Sequence, residues 1–145
     1  MYDVQTLSDR LDIDDLLTRY TRAIDTGEWD RLDEVFTPDA RIDYTATGGI
    51  EGAYPEVKAW LAESLPMFPR RQHVLAQKEV ELGADGDPDG ARVTAYFLNP
   101  MIFAEADGTE LLWEFGGFYH HRLVRTPDGW RSRELVEELC WKRGL

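Results

Sequence analysis

The sequence predicts one α+β domain, in which three helices of the N-terminal half pack on one face of a curved antiparallel or mixed β-sheet. Three observations predict it. Apolar residues recur at three- and four-residue steps as far as Leu65, the signature of amphipathic helices. From Gln72 onward the chain runs in long stretches with β-branched and aromatic content. Those stretches are punctuated by turn chemistry at Asp85-Gly86-Asp87-Pro88-Asp89-Gly90, Asp107-Gly108 and Pro127-Asp128-Gly129. Helices first and a strand meander second place the helices on one face of the sheet. With 145 residues and neither repeat nor linker, the expected organisation is a single domain over residues 1–145.

The first helix is carried by Leu7, Leu11, Ile13, Leu16, Leu17, Tyr20 and Ile24, all on one face. Thr6 and Asp9, three apart, form a loose capping box at its start, and Gly27 is its stop signal. A second, short helix fits Glu28 to Phe36 and ends at Thr37-Pro38-Asp39. A third fits Pro55 to Leu65, with Pro55 in its first turn and Val57, Trp60, Leu61 and Leu65 inward. The strands are a short one over Ala40–Tyr44, then Gln72–Leu82, Ala91–Ala104, Leu111–Val124 and Trp130–Trp141. Pro100 falls in mid-strand and requires an edge, a bulge or a bend there.

A formal net charge of −12, spread along the chain, makes an acidic surface that repels phosphate backbones and anionic headgroups. Nucleic acid and membrane are therefore not the expected partners, and a neutral small molecule is. Five Trp, six Tyr and six Phe suggest a core or cavity wall of large flat side chains. One cysteine, Cys140, allows no intrachain disulfide. No apolar stretch approaches the ~20 residues that cross a bilayer. The opening Met-Tyr-Asp-Val-Gln lacks a basic and an apolar region, so the expected location is cytoplasmic.

The chain has no Gly-rich phosphate loop, no paired-cysteine site, no Gly-x-Ser-x-Gly elbow and no His-Glu-x-x-His helix. Neither metal nor cofactor is expected. Three histidines remain as proton-transfer candidates: His73, His120 and His121. Adjacent strand residues point to opposite faces, so at most one of His120 and His121 faces a pocket, and periodicity does not say which. His73 shares a strand face with Leu75 and Gln77 by alternation. Asp25 borders the apolar face of the first helix, where a carboxylate either needs a partner or caps the following turn.

The segment Arg19-Tyr20 … Ala23-Ile24-Asp25-Thr26-Gly27-Glu28-Trp29-Asp30-Arg31-Leu32 … Val35-Phe36-Thr37-Pro38-Asp39-Ala40-Arg41-Ile42-Asp43-Tyr44 resembles the opening of SnoaL-like proteins of the nuclear-transport-factor-2-like superfamily. The likeness continues through Gln72-His73-Val74, Tyr119-His120-His121 and Asp128-Gly129-Trp130, and is strongest to scytalone dehydratase and bile-acid dehydratases. It implies a cone-shaped, cystatin-like α+β barrel and a pocket built on Asp25, Tyr44, His73 and His121. His121 is favoured over His120 on this ground alone. The dehydratase has a second Tyr where this chain has Ile24, and Tyr20, one turn earlier, matches a Tyr of the bile-acid dehydratases. The expected substrate-contacting residues are Tyr20, Ile24, Tyr119, Trp60 and Phe68.

The resemblance implies a cofactor-independent dehydratase or isomerase of an oxygenated cyclic, polyketide- or steroid-like substrate. His73 is its expected base, Tyr44 its enolate donor, and Asp25 the partner of His121, which protonates the leaving hydroxyl. Other members of the superfamily are cyclases, epoxide hydrolases and non-catalytic binding or assembly modules, and an epoxide hydrolase would set Asp25 with Arg122 or Arg133 around a water. A sheet covered on one face implies a homo-oligomer, dimer or trimer.

Overall fold

The structure, a computed structural model, describes residues 1–144. Helix α1 (Val4–Thr26) buries Ile13, Leu16, Leu17, Tyr20 and Ile24, whereas Leu7 and Leu11 of the expected stripe are exposed in its first turns. It stops at Gly27, whose φ of 72° is the left-handed conformation that only glycine adopts freely. A 3-10 helix over Trp29–Glu34 replaces the expected second α-helix, because Phe36 already belongs to a strand and too few residues remain for regular α-turns. Strand β1 (Phe36–Asp43) is followed by β2 (Glu51–Ala53) and by helix α2 (Tyr54–Ser64), the expected third helix. The rest is β3 (Arg70–Arg71), β4 (Val74–Leu82), β5 (Gly90–Ala104), β6 (Glu110–Thr126) and β7 (Gly129–Arg143).

The strands form one mixed sheet in the order β2-β1-β7-β6-β5-β3, with β4 also paired to β5. Only β1 and β7 run parallel; the other pairs are antiparallel. Helices α1 and α2 cover the concave face, and the core lies between them and the inward rows of β5, β6 and β7. On the opposite face Tyr96, Leu98, Val136 and Trp141 are exposed, with Phe118 packed edge-on against Tyr96. No helix among the described residues is long and apolar enough to cross a membrane.

The expected strand Gln72–Leu82 is broken, and Pro100 explains the break. Arg70 and Arg71 pair with Ile102 and Met101, and pairing resumes only at Val74 with Leu98. Pro100 accepts from the Gln72 N–H at 3.0 Å but has no N–H to return, so the ladder fails at His73. A second irregularity between Leu75 and Lys78 turns Lys78, rather than Gln77, to the inner side with Val80 and Leu82.

The capping assignment is also corrected. Asp3, not the Thr6–Asp9 pair, caps α1, taking the Thr6 N–H at 2.7 Å. Asp9 is instead buried, where it accepts both Arg125 Nη groups at 2.6 and 2.9 Å and the Trp130 Nε1–H at 3.2 Å. The Arg125 bonds hold its carboxyl below the usual range, which burial alone would raise. This bidentate pair pins the start of α1 to the β6–β7 hairpin. Asp9→Ala is expected to cost roughly 2–4 kcal/mol in urea unfolding, since it leaves a guanidinium and an indole N–H without their acceptor.

Candidate active site

A cavity of about 190 Å³ opens between α1, α2 and the concave face of the sheet. Trp60, Leu61 and Phe68 wall it from the helical side, and Trp113, Phe115 and Tyr119 from β6. The Arg71 guanidinium ties its rim together, donating to Ile24 O at the end of α1 (2.8 Å) and to Phe68 O in the loop after α2 (3.0 Å). Of the expected residues, His73, Tyr44, Tyr20, Ile24, Tyr119, Trp60 and Phe68 all reach this one space.

Asp25 does not line the cavity but stands behind His73, from the last turn of α1. The break opposite Pro100 frees the His73 backbone N–H, which donates to Asp25 Oδ2 at 2.9 Å. The ring donates from Nδ1 to Asp25 Oδ1 at 2.6 Å. A carboxylate only accepts, so Nδ1 carries the hydrogen and Nε2 keeps its lone pair. Only 6 % of the His73 side chain and 16 % of that of Asp25 are exposed, so little water competes for the pair. The arrangement holds the His73 ring in one orientation.

This overturns the expected pairing of Asp25 with His121. Both Asp25 oxygens are taken by His73, and His121 Nδ1 shares a hydrogen with Ser132 Oγ at 2.9 Å. His121 does face inward while His120 faces out to Glu138, but it lies two residues past Tyr119 and outside the cavity lining. Desolvation, with the charge of His120 second, pushes its imidazole down to about 3. At neutral pH the ring is uncharged. The same burial has a stability consequence. The unfolded chain binds a proton at His121 below about 6.5 that the folded one refuses until about 3, so folding weakens as pH falls through that window. Melting curves of His121→Gln are expected to lack a loss on the order of 3–5 kcal/mol that the wild type shows between those limits.

Tyr20 and Tyr44 are joined hydroxyl to hydroxyl at 2.6 Å. Burial raises both well above the usual phenol range, so both remain neutral donors. One hydrogen closes the pair, and either hydroxyl can supply it. Tyr20 thus stands with Tyr44 where Ile24 supplies only apolar wall.

The sequence reading missed Glu137, Thr47 and Asn99. Glu137 is 7 % exposed, lines the cavity from β7, and accepts from Thr47 Oγ1 at 2.5 Å. Burial pushes its carboxyl up to about 7, against the Thr47 and Tyr119 hydroxyls, with Asp43 adding to the rise. Its signal was present as an ionisable residue in the inward row Leu135, Glu137, Leu139. Asn99 is buried with Oδ1 unpartnered, and the Trp113 Nε1–H likewise lacks an acceptor. Arg122 is held by Asp85 at the surface and Arg133 is exposed, so neither meets Asp25 in the arrangement an epoxide hydrolase needs. Among the described residues no group of three or more His, Cys, Asp or Glu is placed to hold a metal.

The family model for the SnoaL-like domain matches residues 5–136. An uncharacterized protein of Mycobacterium tuberculosis is 46% identical over 143 residues, covering 99% of this chain and 93% of its own. A scytalone-dehydratase-like structure from Novosphingobium aromaticivorans superposes with a TM-score of 0.83 at 13% identity, over 97% of this chain and 89% of that one. Hexachlorocyclohexane dehydrochlorinase LinA-type3 of Novosphingobium barchaimii does so with a TM-score of 0.79 at 18% identity, over 99% and 94%. At such identities the two structures establish the fold.

Proposed function

Because the chain belongs to the SnoaL-like family, we propose that it is a cofactor-independent acid–base enzyme, a dehydratase or isomerase acting beside the carbonyl of a small oxygenated ring compound. The observation that carries this reading is the Asp25–His73 pair, which keeps a basic Nε2 on the wall of an aromatic-lined cavity. In that reading Nε2 removes a proton next to the carbonyl. Asp25 holds the ring and offsets the positive charge it acquires. The Tyr20–Tyr44 pair donates to the enolate oxygen as charge develops there. The proton then returns at another carbon, or a β-substituent leaves.

The cavity of about 190 Å³ is somewhat larger than the ~150 Å³ that takes a benzene ring, so a compound of one or two rings suits it. The test is hydrogen–deuterium exchange at the carbon beside the carbonyl of α-tetralone and of cyclohexanone in deuterated water, followed by NMR. Protein-catalysed exchange that disappears in His73→Ala supports the reading. Binding of either ketone without exchange would make the protein a ligand-binding module.

We also propose a homo-oligomer, dimer or trimer, joined through the outer sheet face that exposes Tyr96, Leu98, Val136 and Trp141. Sedimentation equilibrium is expected to show dissociation of the assembly in Leu98→Lys, and a monomeric wild type would refute it.

A further inference from the structure

We propose that Glu137 is the general acid of this site, protonating a departing hydroxyl, and that the substrate is accordingly a β-hydroxy carbonyl compound rather than one that loses a halide or carboxylate. The inference rests on the acid–base reading above. His73 and Glu137 line the same cavity from different walls, since β5 and β6 lie between β7 and the β3–β4 edge. A base and an acid set apart in this way suit a reaction in which one atom loses a proton while another gains one.

What surrounds Glu137 favours its acid form. The groups facing it are the hydroxyls of Thr47 from the turn after β1, of Tyr44 at the end of β1, of Tyr20 from α1 and of Tyr119 from β6, together with the Asp43 carboxylate. All are neutral or negative, and among the described residues it forms no ion pair with a Lys, Arg or His. Nothing cationic compensates a buried negative charge there, which agrees with a carboxyl that stays protonated up to about 7. Thr47 Oγ1 meets Oε1 and also reaches the Tyr44 carbonyl at 3.4 Å, so the contact suits a carboxyl with its hydrogen on either oxygen. His121, the acid that family likeness suggested, is both uncharged at neutral pH and outside the cavity.

The step balances. His73 Nε2 takes the α-proton, and the C–H electron pair passes to the carbonyl oxygen as an enolate held by the tyrosine pair. That pair then returns to form the α,β double bond, the β C–O bond breaks, and the leaving oxygen takes the Glu137 proton to depart as water. The site is left with a protonated His73 and an ionised Glu137, and solvent restores both once product leaves. A halide or carboxylate leaves without a proton, so a substrate bearing one would not use the acid.

The experiment measures Glu137→Gln and wild type on two probes, α-tetralone bearing a β-hydroxyl and its β-acetoxy ester, both of which yield α-naphthol. The expected result is a loss on the hydroxy ketone about 10²-fold greater than on the ester. Wild-type turnover of the hydroxy ketone alone is expected to fall as pH rises through about 7, because the acid form is the active one. Equal loss on both probes, or loss on neither, overturns the assignment. A variant that does not fold is replaced by Glu137→Asp, for which the ratio between the probes decides in the same way. Wild-type protein that converts neither probe and exchanges no α-hydrogen overturns the elimination reading itself, and the role of Glu137 with it.

Discussion

Alanine in place of His73 is expected to lower kcat/KM for the β-hydroxy ketone by about 10²–10⁴-fold, the usual contribution of a positioned general base. Among the described residues, His73 is the one imidazole that lines the cavity, and its Nδ1 is held by Asp25. Tyr20, Tyr44 and Tyr119 are held neutral by burial, and Glu137 is pushed toward its acid form. The fold should survive, because the backbone N–H that binds Asp25 Oδ2 remains after the ring is removed. Steady-state kinetics beside a melting curve separates the two effects. Retained turnover in a folded variant would remove His73 from the chemistry and leave the cavity a binding site.

Asp25→Asn is expected to cost nearly as much, about 10³-fold in kcat with KM little changed. An asparagine can still accept the His73 backbone N–H. Its amide hydrogen, however, would point at Nδ1 in place of a carboxylate oxygen, and the ring hydrogen would move to Nε2. The base would then face the cavity with a hydrogen where its lone pair was. Nitrogen NMR of the His73 ring reports this tautomer directly, which a loss of packing would not alter. Activity lost with Nδ1 still protonated would show that Asp25 acts in some other way.

The legible part of this molecule was the part governed by neighbours in the chain. The apolar stripe from Ile13 to Ile24 follows from helical periodicity, and the end of α1 from the freedom of Gly27 to take a positive φ. The long strands β5, β6 and β7 emerged within a few residues of their expected bounds, because Gly-containing turns separate them. The 3-10 helix at Trp29–Glu34 was harder to read, since one short apolar run serves a helical turn and a strand equally well. Pro100 announced an irregularity without saying which strand would be interrupted. The answer was the neighbour that needed its missing N–H.

By itself, then, the sequence determined which faces are apolar and where the chain turns, and its family likeness named Asp25, Tyr44, His73 and His121 for one pocket. Only the tertiary structure decided their partners. Asp25 and His73 are 48 positions apart, and their meeting depends on a ladder that fails at Pro100, not on anything near either residue. Asp9 looked like a cap and became a buried anchor because Arg125 and Trp130, more than a hundred positions away, come over it. His121 and Glu137 both carry titratable groups on inward rows. Burial without a compensating charge turned the first into a neutral core histidine and the second into an acid, since the cost of a charge is set by what surrounds it in space.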